Sequence, residues 1–265
     1  MYSKTKLIYK YLKYRLGASN GKGHGTHSPF VFKFIKDVLN DDRHFYAYDE
    51  IENLRKQLLK NKQQVSVKDF GEVSGKGVQK IKSINQVAAL AVTPKKYAQL
   101  LFKIADYYKV NTVLELGTSL GITTSYLASA NHNAKVITIE GAEVIADIAH
   151  QNFISLNKNN IDLVQGDFDE TLPSLLKKIT TLDLIYIDGN HRYQPAINYF
   201  NLLLPHCHNS TIMVFNDIHG SEEMEQVWNE IRQNNVVTIS IDLFGIGLVF
   251  FRKEQKQKEH FAIRF

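Results

Sequence analysis

The sequence predicts an α/β fold: a doubly wound, mostly parallel sheet of seven strands whose last strand is reversed, with an N-terminal helical extension. Three observations lead there. After Lys109, short apolar runs alternate five times with amphipathic stretches, the strand-then-helix repetition of a parallel sheet covered by helices on both faces. The last two apolar runs, VVTISIDLF and IGLVFFR, have only Gly245 between them, too little chain for a helical crossover, so they pair antiparallel. The first run ends in VLELGTSLG, an acid and a glycine turn at a strand tip.

Taken in order, VNTVLEL is followed by ITTSYLASA, AKVITIE by AEVIADIAHQNFISL, IDLVQGD by ETLPSLLKK, LDLIYID by YQPAINYFNLLL, and STIMVFND by SEEMEQVWNEIRQ. The first hundred residues are less regular. GASNGKGHGTHSPF reads as a loop, FVFKFIKDVL as a helix and EIENLRKQLLKNKQQ as a helix with a charged face. DFGEVSGKGVQKIKSIN, with Gly71, Gly75 and Gly77, reads as a loop, and Pro94 after Thr93 starts the helix leading into the first strand. The expected division is a helical cap or lid over residues 1–85 and a catalytic domain over 86–265.

Composition narrows the class. No run approaches the 18 or so apolar residues of a membrane span, and Met1 to Leu16 lacks the apolar core of a secretion signal, so a cytoplasmic location is expected. Cys207 is the single cysteine, which excludes an intrachain disulfide or a cysteine metal cluster and reads as an inert small side chain. The net charge of +5 gathers at the two ends, where RKEQKQKEH reads as a solvated face. In the opening stretch Lys4, Lys6, Lys10, Lys13 and Arg15 interleave with Leu7, Ile8, Tyr11, Leu12 and Tyr14, a pattern open to peripheral contact with an acidic membrane as well as to simple docking.

In a doubly wound sheet the ligand sits beyond the carboxyl ends of the strands. Those ends carry Glu115, Gly117, Glu140, Asp167, Asp188 and Asp217, an acidic lining that is wrong for phosphates. Ser119 stands where a dinucleotide cradle needs its second glycine, and no Gly-Lys-Ser/Thr follows the first glycine, which removes the P-loop. Glu140, roughly 20 residues past the turn, suits the two hydroxyls of a ribose. Asp167 with Phe168 suits an adenine amino group and its face, and Glu115 an ammonium. Ribose, adenine and an amino acid together describe S-adenosylmethionine.

At this point the sequence resembles the class I S-adenosylmethionine-dependent methyltransferases, with their Rossmann-like sheet, and within them the small-molecule, catechol-type O-methyltransferases. The resemblance runs from about Pro94 to Arg252 and rests on VLELGTSLG, VITIEG, QGDF, LIYIDGNHRY and MVFNDIHG. It implies a cofactor turn of Glu115, Gly117, Thr118, Ser119 and Gly121. It also implies ribose binding by Glu140 with Gly141, adenine contacts by Asp167 and Phe168, and a further cofactor contact at Asp188.

LIYIDGNHRY resembles the segment in which a strand-end aspartate binds a divalent metal and a base follows three residues later, the positions of Asp188 and His191. A hydroxyl that attacks a methyl sulfonium must lose its proton, so a group titrating near neutrality is useful there. Magnesium on oxygen ligands would serve the same end, with Asp217 as its second acid. The family's usual asparagine after that acid is Ile218 here, which leaves Asn216 or His219 to substitute and keeps both routes open. A small hydroxylated acceptor is the expected partner, and a homodimer is compatible with the sequence. Base amino-group methylation is disfavoured, since DGNH replaces the Asn/Asp-Pro-Pro-aromatic signature; methylation of RNA ribose or protein, or cofactor binding without turnover, are the alternatives.

Overall fold

The structure, a computed structural model, describes residues 1–23, 27–69 and 78–265. Part of GTHSPFVF and the Gly71–Gly75–Gly77 stretch therefore lie outside the described residues. The chain forms two compact units, Met1–Asp42 with Thr181–Phe265, and Arg43–Thr180.

After α1 (Lys4–Gly17) and α2 (Pro29–Phe34) of the first unit, the second unit opens with α3 (Ala47–Leu58), a hairpin of β1 (Gln64–Asp69) and β2 (Val78–Ser83), and α4 (Ile84–Leu90). Here the sequence expectation needs correcting. Residues 78–83, read as loop, pair antiparallel with 64–69. VQKIKS carries too many lysines to signal a strand, but the pairing needs only backbone partners, and α4 supplies the apolar support. Its start is a capping box between Ser83 and Gln86.

α5 (Lys95–Tyr107) leads into β3 (Thr112–Leu116), followed by α6 (Ile122–Ala130), β4 (Lys135–Glu140), α7 (Glu143–Ser155), β5 (Ile161–Gln165) and α8 (Phe168–Leu176). β3, β4 and β5 are adjacent and parallel, with Leu116 opposite Ile139 and Glu140 opposite Gln165. That register brings Gly117, Glu140 and Gln165 to one level, with Gly166 one residue beyond. The core beneath is shared by Tyr48, Ile51, Leu54, Val65, Val67 and Val87 with Phe102, Leu120, Tyr126 and Ile145. Much of the N-terminal segment is thus built into the core of this unit.

In the first unit, α1 (Lys4–Gly17) and α2 (Pro29–Phe34, running on as a π-helical turn to Leu39) precede β6 (Leu182–Ile187), α9 (Tyr193–Leu203), β7 (Cys207–Asn216), α10 (Glu222–Gln233), β8 (Ile239–Asp242), β9 (Ile246–Phe250) and β10 (Glu259–Ala262). The strand order is β10-β8-β9-β7-β6. β6 and β7 are parallel, and β9 is antiparallel to both β7 and β8, the reversed strand foreseen above. All seven strands read from the alternation are present. β10 is additional: it pairs parallel with β8, so the end of the charged tail is sheet edge rather than a solvated face. Its first two residues, Glu259 and His260, are polar, as suits a half-solvated edge strand.

Candidate functional site

The glycine turn after β3 is held from below. Glu115 is fully buried, and its Oε2 accepts hydrogen bonds from the hydroxyls of Thr124 and Thr138, the latter at 2.7 Å. Thr138 also shares a hydrogen bond of 2.6 Å with Thr118. This buried polar chain ties the turn to β4 and α6, and its cost is offset because each hydroxyl is satisfied. Gly117 and Thr118 donate backbone N–H groups to the Ile139 carbonyl at 3.0 and 3.2 Å. Gly121 opens α6 at φ +77°, where an added Cβ would lie 2.4 Å from the Phe153 ring, so only glycine lets α7 pack this closely.

Glu140 is the centre of this half. One oxygen accepts the Ser119 N–H at 2.9 Å and the other the Ala142 N–H at 3.0 Å. Burial pushes its carboxyl up from the ordinary value against the lowering effect of backbone N–H donors at Ala142, Ser119 and Gly141. Those donors under-compensate the desolvation, so further hydroxyl donors would be welcome on the remaining lone pairs. Beside it the Ser119 Oγ, on a residue at φ 48°, is buried without a partner. Asp167 caps α8, accepting the Asp169 N–H at 2.8 Å, and Phe168 is the first helical residue. A half-buried carboxylate short of donors next to an unsatisfied hydroxyl fits a ligand with vicinal hydroxyls.

In the first unit the β6–β7 register sets Ile187 opposite Phe215, so Asp188 and Asn216 leave the sheet side by side. Asn216 Nδ2 donates to Asp188 Oδ1 at 2.6 Å and the Tyr186 hydroxyl to Oδ2 at 3.0 Å. His191 Nε2 stands 3.7 Å from Asp188 Oδ1. His191 lies in the loop before α9 rather than at the helix start, because the segment turns through Asn190 at φ 50° and the helix begins at Tyr193.

The residues named as substitute metal ligands are otherwise engaged. Ile218 is fully buried, which explains an apolar side chain at that position: it is core. His219 uses both ring nitrogens, Nδ1 toward Glu225 Oε1 at 3.1 Å and Nε2 toward Asp242 Oδ2 at 2.8 Å. Asp217 turns at φ 52° and its carbonyl accepts the Gly220 N–H at 2.8 Å. Among the described residues no group of three or more His, Cys, Asp or Glu side chains gathers as a metal site. The Cys207 thiol is pushed up to about 12 by burial and points at the Leu203 carbonyl, which keeps it protonated and unreactive.

The His219 network is what sequence reasoning missed. Lys10 Nζ binds both oxygens of Glu225 at 2.8 and 2.7 Å, and the Tyr2 hydroxyl donates to the same carboxylate at 3.0 Å. The partners are 215 and 223 residues apart in sequence, and no local pattern links them.

Residues 114–218 match a family described as "Methyltransferase domain". Over that stretch the chain is similar to a methyltransferase domain. It is 30% identical over 99 residues to the tRNA (guanine-N(7)-)-methyltransferase of Mycoplasma mobile, a match covering 37% of this chain and 47% of that one. The chain spans about half the length of the curated relatives it matches. Among solved structures it is similar to the O-methyltransferase from Bacillus cereus in complex with SAH (TM-score 0.56, 19% identity, 83% of this chain and 97% of that one). It is likewise similar to TomG, an O-methyltransferase from Streptomyces achromogenes involved in tomaymycin synthesis, in complex with SAM (TM-score 0.56, 16% identity, 82% and 96% covered). These likenesses show that the chain has a Rossmann-like fold.

Proposed function

We propose that this chain binds S-adenosylmethionine and transfers its methyl group to a hydroxyl oxygen of a small molecule. The observation that carries the reading is Glu140, a half-buried carboxylate at the β4 end, held above its ordinary value by desolvation and hydrogen-bonded to the Ser119 N–H of the glycine turn. S-adenosylmethionine, when bound, supplies the methyl on a sulfonium centre. In this reading Glu140, with Gly141 behind it, accepts the ribose hydroxyls. Gly117, Thr118 and Gly121 shape the turn, with the Ser119 Oγ available to the ligand. Asp167 and Phe168 face the adenine. Glu115 positions the turn through Thr124 and Thr138, and it meets an ammonium only through an intervening group, because its side chain is fully buried.

Proton removal falls to His191. With Nε2 toward Asp188, its Nδ1 takes the acceptor proton, and Asp188 stabilises the imidazolium that results. Asp188 itself is oriented by Asn216 and Tyr186. The donor set is a poor fit to magnesium: Asn216 presents its amide N–H rather than its oxygen to Asp188, His219 is held by two carboxylates, and among the described residues no group of three or more His, Cys, Asp or Glu side chains gathers beside them.

A cytoplasmic location, and a homodimer if one forms, go with this reading as expectations from the sequence; no helix among the described residues is long and apolar enough to cross a membrane. The lid role of residues 1–85 ahead of a catalytic segment 86–265 also stays a proposal. Its test is substitution rather than deletion, since Tyr48, Ile51 and Leu54 belong to the second unit's core. The tRNA-methylating relative favours a second reading, methylation of RNA. One experiment separates the two: calorimetry with S-adenosylmethionine, its demethylated product and a nicotinamide dinucleotide, followed by labelled-methyl transfer to catechol-type hydroxyls and to tRNA. Binding of the first two ligands with label on the small hydroxyls supports the proposal. Label on tRNA alone overturns the acceptor class, and dinucleotide binding alone overturns the cofactor.

A further inference from the structure

The outward face of α1 combines features that its inward docking does not use. On the inward side, Tyr2 and Lys10 bind Glu225, the rings of Tyr11 and Tyr14 pack on Phe244 with centroids 5.0 and 5.3 Å away, and the Tyr14 hydroxyl donates to the Ile263 carbonyl. These contacts fix which side faces solvent. On that side Ile8, Tyr9, Leu12 and Leu16 are 62, 68, 55 and 85% exposed. At about 100° per residue these four side chains fill a continuous arc of about 100°. Lys4 and Arg15 border the arc on one edge, Lys6 and Lys13 on the other.

The charge around this arc has one sign. The first 36 residues contain seven lysines and Arg15, and the first acid is Asp37. An apolar stripe between two cationic rims on a helix parallel to the protein surface is the form that lies in the headgroup layer of a bilayer, with the apolar residues sunk and the lysines reaching the lipid phosphates. Two other occupants fit less well. A second copy would set cationic rim against cationic rim, and a nucleic acid would use the lysines while leaving Ile8, Leu12 and Leu16 in water.

We propose that α1 is a peripheral docking surface for an anionic phospholipid membrane, independent of the methyl-transfer reading. The test is co-sedimentation of the full chain with phosphatidylcholine vesicles, with and without phosphatidylglycerol, over a range of salt. Expected is binding to the anionic vesicles, little to neutral ones, and weakening as salt rises. Leu12→Ser with Leu16→Ser should lower the partition about tenfold or more with an unchanged thermal midpoint, since both side chains are already exposed; Lys4→Glu with Lys13→Glu should abolish it. Three results would each overturn the proposal: no binding to either vesicle, anionic binding that the serine variant retains in full, or a dimer in sedimentation velocity that the serine variant dissolves.

Discussion

Replacing His219 by alanine removes one imidazole that joins two carboxylates on different elements, Glu225 on α10 and Asp242 at the end of β8, and that stacks on Phe244 with a centroid distance of 5.2 Å. A hydrogen bond to a charged partner contributes roughly 1.5–3 kcal/mol. The three side chains are 17 to 23% exposed, which places each arm toward the lower end. Glu225 keeps Lys10 and Tyr2 in the variant, so the Asp242 arm and the stacking carry most of the loss, about 2–3 kcal/mol in all. For a chain of this size that lowers the melting midpoint by roughly 5–10 °C. Acidity tests the cause. Burial works to lower the His219 value, yet the hydrogen bonds and charges of Asp242 and Glu225 outweigh it and hold the imidazole above its ordinary 6.5. Its stabilising contribution is therefore complete below pH 6.5 and is lost as pH rises through the folded value. For Glu225, burial works to raise the value, but Lys10, His219 and Tyr2 together hold it below its ordinary 4.5, so its share is present above pH 4.5 and is lost as pH falls through the folded value. The difference in midpoint between wild type and His219→Ala, followed by calorimetry or circular dichroism, should be largest between pH 4.5 and 6.5 and shrink toward alkaline pH. An unchanged midpoint in that window, or a penalty that grows with pH, would refute the assignment.

The remaining predictions concern the cofactor and acceptor residues. Glu140→Ala should weaken binding of S-adenosylmethionine and its demethylated product by roughly 1–3 kcal/mol, the cost of unpaired buried hydroxyls, measured by calorimetry. Gly121→Ala should destabilise the fold by about 1–3 kcal/mol in denaturant unfolding, because the methyl would press on Phe153 at a positive φ. His191→Ala should slow methyl transfer about 10²–10⁴-fold, measured by labelled-methyl transfer, while a chelator leaves the wild-type rate unchanged. A rate abolished by chelation and restored by magnesium would reverse the argument drawn from Asp188, Asn216 and His219.

The strand-and-helix order from Thr112 to Phe250 was legible in the sequence because each strand there, the half-exposed edge strand β5 apart, is a short apolar run with most of its residues buried, and each helix repeats its apolar residues at helical spacing. The strand-end acids were legible for the same reason, since the end of an apolar run marks where the sheet stops. The hairpin of β1 and β2 and the edge strand β10 were not, because edge and hairpin pairing is made by backbone groups that any polar residue can present. Tertiary structure alone decided that Glu115 turns inward to Thr124 and Thr138 and that Asn216 donates to Asp188. It also decided that His219 is spent on Glu225 and Asp242 rather than on a ligand. Sequence names a side chain's chemistry, but which partner consumes its lone pairs depends on strand register and on contacts more than two hundred residues apart, such as Lys10 with Glu225, and these exist only once the chain has folded.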